Sequence, residues 1–168
     1  MARWDHIKHD AHIGLCGIGA TPAQALEKAA LAMNAAITDL DAIRPLVKIE
    51  VSCPARALDT LLFDWLNLLV YEMTVGKMLF SRFSVNIAGG RLFGLAWGEK
   101  VDLERHRPAT AIGAATRTAL DMKQYANGEW VAQCAVDVTP CPPTPEPIAK
   151  TRAALRSVAP GHPGRISL

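Results

Sequence analysis

The stretch KHDAHIGLC, residues 8–16, places two histidines and an aspartate within four positions, ahead of an apolar run. Imidazole and carboxylate are groups that pair with each other and ligate metal ions, and imidazole also titrates near neutral pH. On an extended strand, residues two apart share a face. Asp10 and His12 would then point one way, with His9, Ala11 and Ile13 on the other side. Such a pair is either the wet edge of a strand or one corner of a site.

Further carboxylates stand in awkward places. Asp39 and Asp41 follow directly on a helical pattern in AAITDLDAIRP, where a negative charge opposes the helix dipole at a cost of about 0.3–1 kcal/mol when exposed. Either the chain has already turned away and both groups are solvated, or a cation sits there. Asp137 stands near the end of an alternating strand pattern, two residues before a proline-rich break. A strand-end aspartate is commonly a turn residue. Carboxylates from separate segments, joined by the Asp10/His12 pair, are also the oxygen-rich ingredients of a calcium or magnesium site.

Other chemistries lack their residues. There is no P-loop and no H-E-x-x-H, and GLCGIG does not match G-x-G-x-x-G. The four cysteines, Cys16, Cys53, Cys134 and Cys141, form no C-x-x-C, and their apolar settings indicate inert core thiols rather than nucleophiles.

The elements that must position these groups follow from patterning. Thr21 reads as an N-cap, with Pro22 at the first helical position and Gln24 completing a capping box. Leu26, Ala29, Ala30, Met33 and Ile37 then fall on one helical face. A second helix is expected over residues 55–73, with Leu58, Leu61, Leu62, Trp65 and Leu69 as its stripe and Phe63, Leu66 and Val70 broadening it. LVKIEV, FSVNI and RLFGLAW read as strands, the last two joined by a Gly89-Gly90 hairpin turn. AIGAATRTALDMK is a weaker strand, and Asn127-Gly128 leads into EWVAQCAVDV, which sends Trp130, Ala132, Cys134, Val136 and Val138 to the core. The order predicts an α+β domain over residues 1–138, with both helices on one side of an antiparallel or mixed sheet. TPCPPTPEP, with five prolines among nine residues, then ends it. Residues 139–168 are expected to be a Pro-rich, basic, flexible tail.

Composition is that of an ordinary globular chain: 168 residues, 50% apolar and 20% charged. The net charge of +2 is too small to argue for nucleic acid by itself. Lys150, Arg152, Arg156 and Arg165 against Glu146 give the tail +3, which leaves the body at 2 − 3 = −1. No run approaches the roughly 20 apolar residues of a membrane span, and no secretory leader is visible, so a cytoplasmic protein with reduced thiols is expected.

Taken together, HDAHIG, ATPAQALEKAALAMNAAITDL, LDTLLFDWLNLLVYE, GEKVDLERH, the A-A-T of residues 114–116 and AVDV resemble the archease family, in order, over residues 4–138. The resemblance implies a small domain of strand-helix-strand-strand type with an inserted module. It also implies an accessory protein rather than an enzyme. Archeases assist the RtcB-type RNA ligase, which seals RNA ends in tRNA splicing and RNA repair using GTP and divalent metal. They promote its guanylylation and multiple turnover. The resemblance further implies an acidic cluster that binds a divalent ion, calcium or magnesium, and faces the ligase. Asp39 and Asp137 match two of its acids. At the third, this chain reads His9-Asp10-Ala11-His12, so His12 stands in the family's aspartate position and Asp10 replaces a threonine. Imidazole is a poor calcium ligand and a better one for transition metals. Glu99 and His106 match the family's GE…H stretch, as a partner contact or a loop brace, and Gly113 stands where relatives often carry lysine. RNA is met through the ligase, and no membrane is involved. The alternatives are a metal-dependent small-molecule or nucleotide hydrolase using the same carboxylates, and a metal-free binding module of this fold.

Overall fold

The first helix forms where its signals stand. In the computed structural model, which describes residues 2–9 and 12–141, helix α1 spans Pro22–Ala35 with Thr21 as its N-cap. The Thr21 hydroxyl accepts from the Gln24 amide at 3.1 Å, and the Gln24 side chain reaches back to the Ala20 amide at 2.9 Å. Helix α2 spans Leu58–Val75 and starts later than expected, because Ala57 offers no side-chain cap and β3 runs to Pro54.

The strands are β1 (Arg3–His9), β2 (His12–Gly19), β3 (Val47–Pro54), β4 (Met78–Ala88), β5 (Arg91–Lys100), β6 (Thr110–Ala115), β7 (Asp121–Gln124) and β8 (Trp130–Pro140), with a one-turn helix α3 at Leu103–His106. They build two antiparallel sheets, not one. The first has the order β1-β2-β8-β6, with β7 also pairing to β8; the second is β3-β5-β4. Gly89 and Gly90 at φ 59° and 72°, and Gly128 at φ 89°, occupy the two expected turns, a backbone region that costs glycine nothing. The weaker strand pattern is two short strands, β6 and β7. Strand β8 continues past Val138 to Pro140, a proline tolerated at a strand end. The remainder of the expected tail, residues 142–168, lies outside the described residues.

The helices join the sheets. Helix α1 lies so close to β2 that a Cβ on Gly17 would fall 2.3 Å from the Ala25 carbonyl oxygen and the Ala29 amide nitrogen. Gly17 and Gly19 of GLCGIG therefore serve packing against α1. Helix α1 also seals the free edge of β4: Asn34 and Glu27 each accept a β4 amide, from Phe80 and Val85, at 2.9 Å. From α2, Trp65 donates to the Leu26 carbonyl at 3.0 Å, and its ring fills the space that Gly94 leaves open on β5. Leu26, Met33, Leu61, Leu62, Trp65, Leu66, Leu69, Phe80 and Leu92 are fully buried between these layers. Asn34→Ala is expected to destabilise the fold by about 1–3 kcal/mol in urea unfolding, since it leaves the buried Phe80 amide without an acceptor.

Candidate functional site

The opening stretch is not one strand. The chain reverses direction between His9 and His12, which pair across the β1–β2 hairpin. The shared face expected for Asp10 and His12 falls on Asp10, which lies outside the described residues. The partner of His12 comes instead from the far end of the sequence. Strands β2 and β8 register His12 directly opposite Asp137, and His12 Nε2 lies 2.9 Å from Asp137 Oδ1. Both side chains are well exposed, at 41% and 53%.

The pleat decides which side this pair faces. Gly17 meets α1, and His12, five residues before it, has the opposite parity. The pair therefore points away from α1, and on that face His12 borders an apolar hollow with Ile7, Gly14, Gln133 and Ala135. Strand β6 bulges beside it: the register shifts between Ile112 and Ala115, and a Cβ on Gly113 would rest 3.4 Å from Asp137 Cβ. Among the described residues, the side chain that pairs with Asp137 is the His12 imidazole.

Asp39 is elsewhere. It caps the 3-10 turn Leu40–Ala42, its carboxylate accepting from the Asp41 amide at 3.0 Å. The apparent conflict with the α1 dipole resolves locally, since a carboxylate at an N-cap satisfies a new turn's amides. Both Asp39 and Asp41 are exposed and border a hollow with Trp4, Ala35 and Thr38. Trp4 pairs with Gly17 and so belongs to the helix-covered side of the sheet. Among the described residues, no three His, Cys, Asp or Glu side chains converge to hold a metal ion. The donors that do meet, one imidazole and one carboxylate, do not fit a calcium or magnesium site, which takes about six to eight oxygen ligands for calcium and an octahedron of oxygens for magnesium.

Glu99 and His106 do come together, and they are buried, at 7% and 2% exposure. The Glu99 carboxylate accepts both terminal nitrogens of Arg105, Nη1 at 3.0 Å, and also the Arg44 amide. His106 Nδ1 accepts from the Asp102 amide at 2.8 Å, which assigns the proton to Nε2, 3.3 Å from Glu99. Arg105 reaches on to the Ala42 carbonyl at 2.7 Å, and the Thr38 hydroxyl donates to the His106 carbonyl. These bonds fasten the segment from Thr38 to Arg44, which carries Asp39 and Asp41, onto the β5–α3 corner. Glu99 and His106 are buried, and their bonds brace this loop. The Arg105 guanidinium, helped by the Arg44 amide and His106, holds the Glu99 carboxyl down at about 2 against desolvation. Sequence reasoning missed Arg105; its place beside His106, six residues after Glu99, was the available signal.

The Cys16, Cys53 and Cys134 thiols are not activated as nucleophiles. Burial pushes the Cys134 thiol up to about 11, and it donates to the Thr116 carbonyl. Burial also raises the Cys16 and Cys53 thiols.

Residues 4–138 match the model of the archease protein family. A protein archease of Pyrococcus furiosus is 33% identical over 142 residues, covering 82% of this chain and all of that one. One from Methanopyrus kandleri is 34% identical over 139 residues, covering 80% and 99%. Among solved structures, protein 1598 of Methanobacterium thermoautotrophicum superposes with a TM-score of 0.71 at 25% identity, covering 80% of this chain and 97% of that one. A Thermotoga maritima archease described as a possible chaperone has the same fold at a TM-score of 0.52 and 17% identity, covering 78% and 94%.

Proposed function

Because this chain belongs to the archease family, we propose that it is an accessory protein that activates an RtcB-type RNA ligase, promoting guanylylation of the ligase and its repeated turnover. The observation that carries the reading is the position of the His12–Asp137 pair. It is held in register by two strands yet stands open at the surface, so its chemistry is offered to another molecule. An exposed carboxylate oriented by an imidazole presents fixed, directional charge to a basic partner surface. The second acidic feature, the Asp39–Asp41 turn, is equally exposed and is locked by the Glu99 brace.

A divalent ion belongs to the finer form of this reading. His12 and Asp137 supply a mixed pair of donors, and a hard cation would need further oxygens from outside the described residues. We therefore assign the described groups the roles of orienting and contacting the partner, with divalent ion as a variable of the assay.

The test is guanylylation of the cognate ligase by GTP at limiting divalent metal, with and without this protein. Stimulation is expected, and Asp137→Ala and His12→Ala should each reduce it by about tenfold or more, because each removes one member of a single hydrogen-bonded pair. A loss of similar size in Asp39→Ala would place the acidic turn in the same contact. If no stimulation occurs at any metal concentration, the activator reading falls, and hydrolysis by the isolated chain becomes the next assay.

A further inference from the structure

Among the described residues, nothing covers the outer face of the second sheet. Alternation along β5 sends Leu92 and Ala96 into the core, fully buried, and turns Phe93, Leu95 and Trp97 outward. Phe93 is 49% exposed. Cations flank this column. Lys48 on β3 and Arg82 on β4 are the cross-strand neighbours of Trp97, and the Arg82 guanidinium lies 4.9 Å from the Trp97 ring centroid. Arg91 stands at the hairpin end, bonded to the Ser52 hydroxyl at 3.1 Å. The acid on this face is Glu50, 3.9 Å from Lys48. Lys48, Arg82 and Arg91 against Glu50 give 3 − 1 = +2 here, in a body whose sequence sums to −1.

We propose that this face binds single-stranded RNA, with bases stacked on Phe93 and Trp97 and phosphates met by Lys48, Arg82 and Arg91. The shape of the surface selects the ligand. Its apolar strip is one strand wide and bordered by cations and small polar groups, whereas a stable protein interface needs a broader apolar centre. Exposed aromatics on a sheet flanked by positive charge are the elements that hold unpaired bases and track a phosphate backbone. Phe93 and Trp97 are four residues apart on one strand, roughly 13 Å, so each ring takes its own base. A duplex hides its base faces and would gain only the electrostatic part. The choice of RNA over DNA rests on the ligase reading; the direct RNA contact goes beyond it, since an activator needs to touch only the ligase.

The experiment is fluorescence anisotropy of a labelled oligouridylate of about 12 nucleotides, titrated with the full chain at low salt and without ligase. Saturable binding is expected. Phe93→Ala should weaken it about tenfold or more while melting like the parent protein, Phe93→Tyr should retain it, and a duplex of equal length should bind about tenfold more weakly. Arg82→Ala should weaken binding and flatten its salt dependence. Absence of saturable binding, or equal affinity for the duplex, would overturn the proposal. So would binding that Phe93→Ala leaves intact, which would assign the RNA to the basic residues of the tail. A concentration-dependent dimer dissolved by Phe93→Ala would also overturn it and give the face to a second copy of the chain. Ligase guanylylation measured without RNA should be unchanged in Phe93→Ala, so either reading can fail while the other stands.

Discussion

Gly17→Ala is expected to lower the unfolding free energy by about 3 kcal/mol or more in urea denaturation, at the upper end of the usual range for overpacked cores. A Cβ at this position would sit 2.3 Å from two backbone atoms of α1 and 2.9 Å from the Ala29 Cα. Backbone cannot swing aside as the end of a long side chain can. The helix would have to lift from the sheet, opening gaps around Ala25, Ala29 and Ala30, which are now fully buried. It would also loosen the Asn34 and Glu27 bonds that close β4. Against a typical domain stability of about 5–15 kcal/mol, such a loss removes a large part of the total. Gly113 supplies the contrast. It lies on the exposed bulge, where a Cβ would make ordinary contact at 3.4 Å, so Gly113→Ala should fall within about 0.5 kcal/mol of the parent. Equal effects at the two sites would mean that the close approach of α1 to β2 does not control the fold.

Glu99→Gln is expected to cost about 2–4 kcal/mol at neutral pH, read from the same unfolding curves. Removing one partner of a buried ion pair commonly costs about 3–5 kcal/mol, and the figure here is reduced because Arg105 keeps 31% of its side-chain surface in water. Glutamine preserves the shape, but its amide nitrogen cannot accept from Arg105, Arg44 or His106 as a second carboxylate oxygen does. The pH dependence carries a separate signature. The folded-state pKa of Glu99 is depressed from 4.5 to about 2, so its contribution is complete above about 4.5 and is lost as pH falls toward 2. The gap between parent and Glu99→Gln should therefore narrow over that window and remain constant above it. A gap that persists at pH 2 would assign the loss to packing instead of charge. Because Glu99, Arg105 and Thr38 together hold the acidic turn, Glu99→Gln should also weaken ligase stimulation if Asp39 takes part in it.

Local and periodic information was legible in the chain itself. The capping signals of Thr21, Pro22 and Gln24 specify the start of α1 because they act within one turn of helix. Gly89-Gly90 and Asn127-Gly128 specify hairpins because few residues other than glycine adopt positive φ cheaply. The alternation of Trp130, Ala132, Cys134 and Val136 specifies the buried face of β8, since the side-chain period of a strand is fixed at two. The ordered motifs over residues 4–138 were enough to indicate the family.

Tertiary structure decided how separate segments meet. A strand pattern gives no partner list, so the division into two sheets and the pairing of His12 with Asp137, residues distant in sequence, came only from the register of β2 against β8. Asp39 looked equally eligible for that corner, but the 3-10 turn it caps keeps it on the other side of the sheet. Glu99 and His106 were visible as chemically capable residues, and only burial showed that they hold a loop in place. Residue type and spacing determine what a side chain can do and which local element it joins. Whether it faces water or a charged neighbour depends on long-range packing, where a one-residue change of register reverses the face.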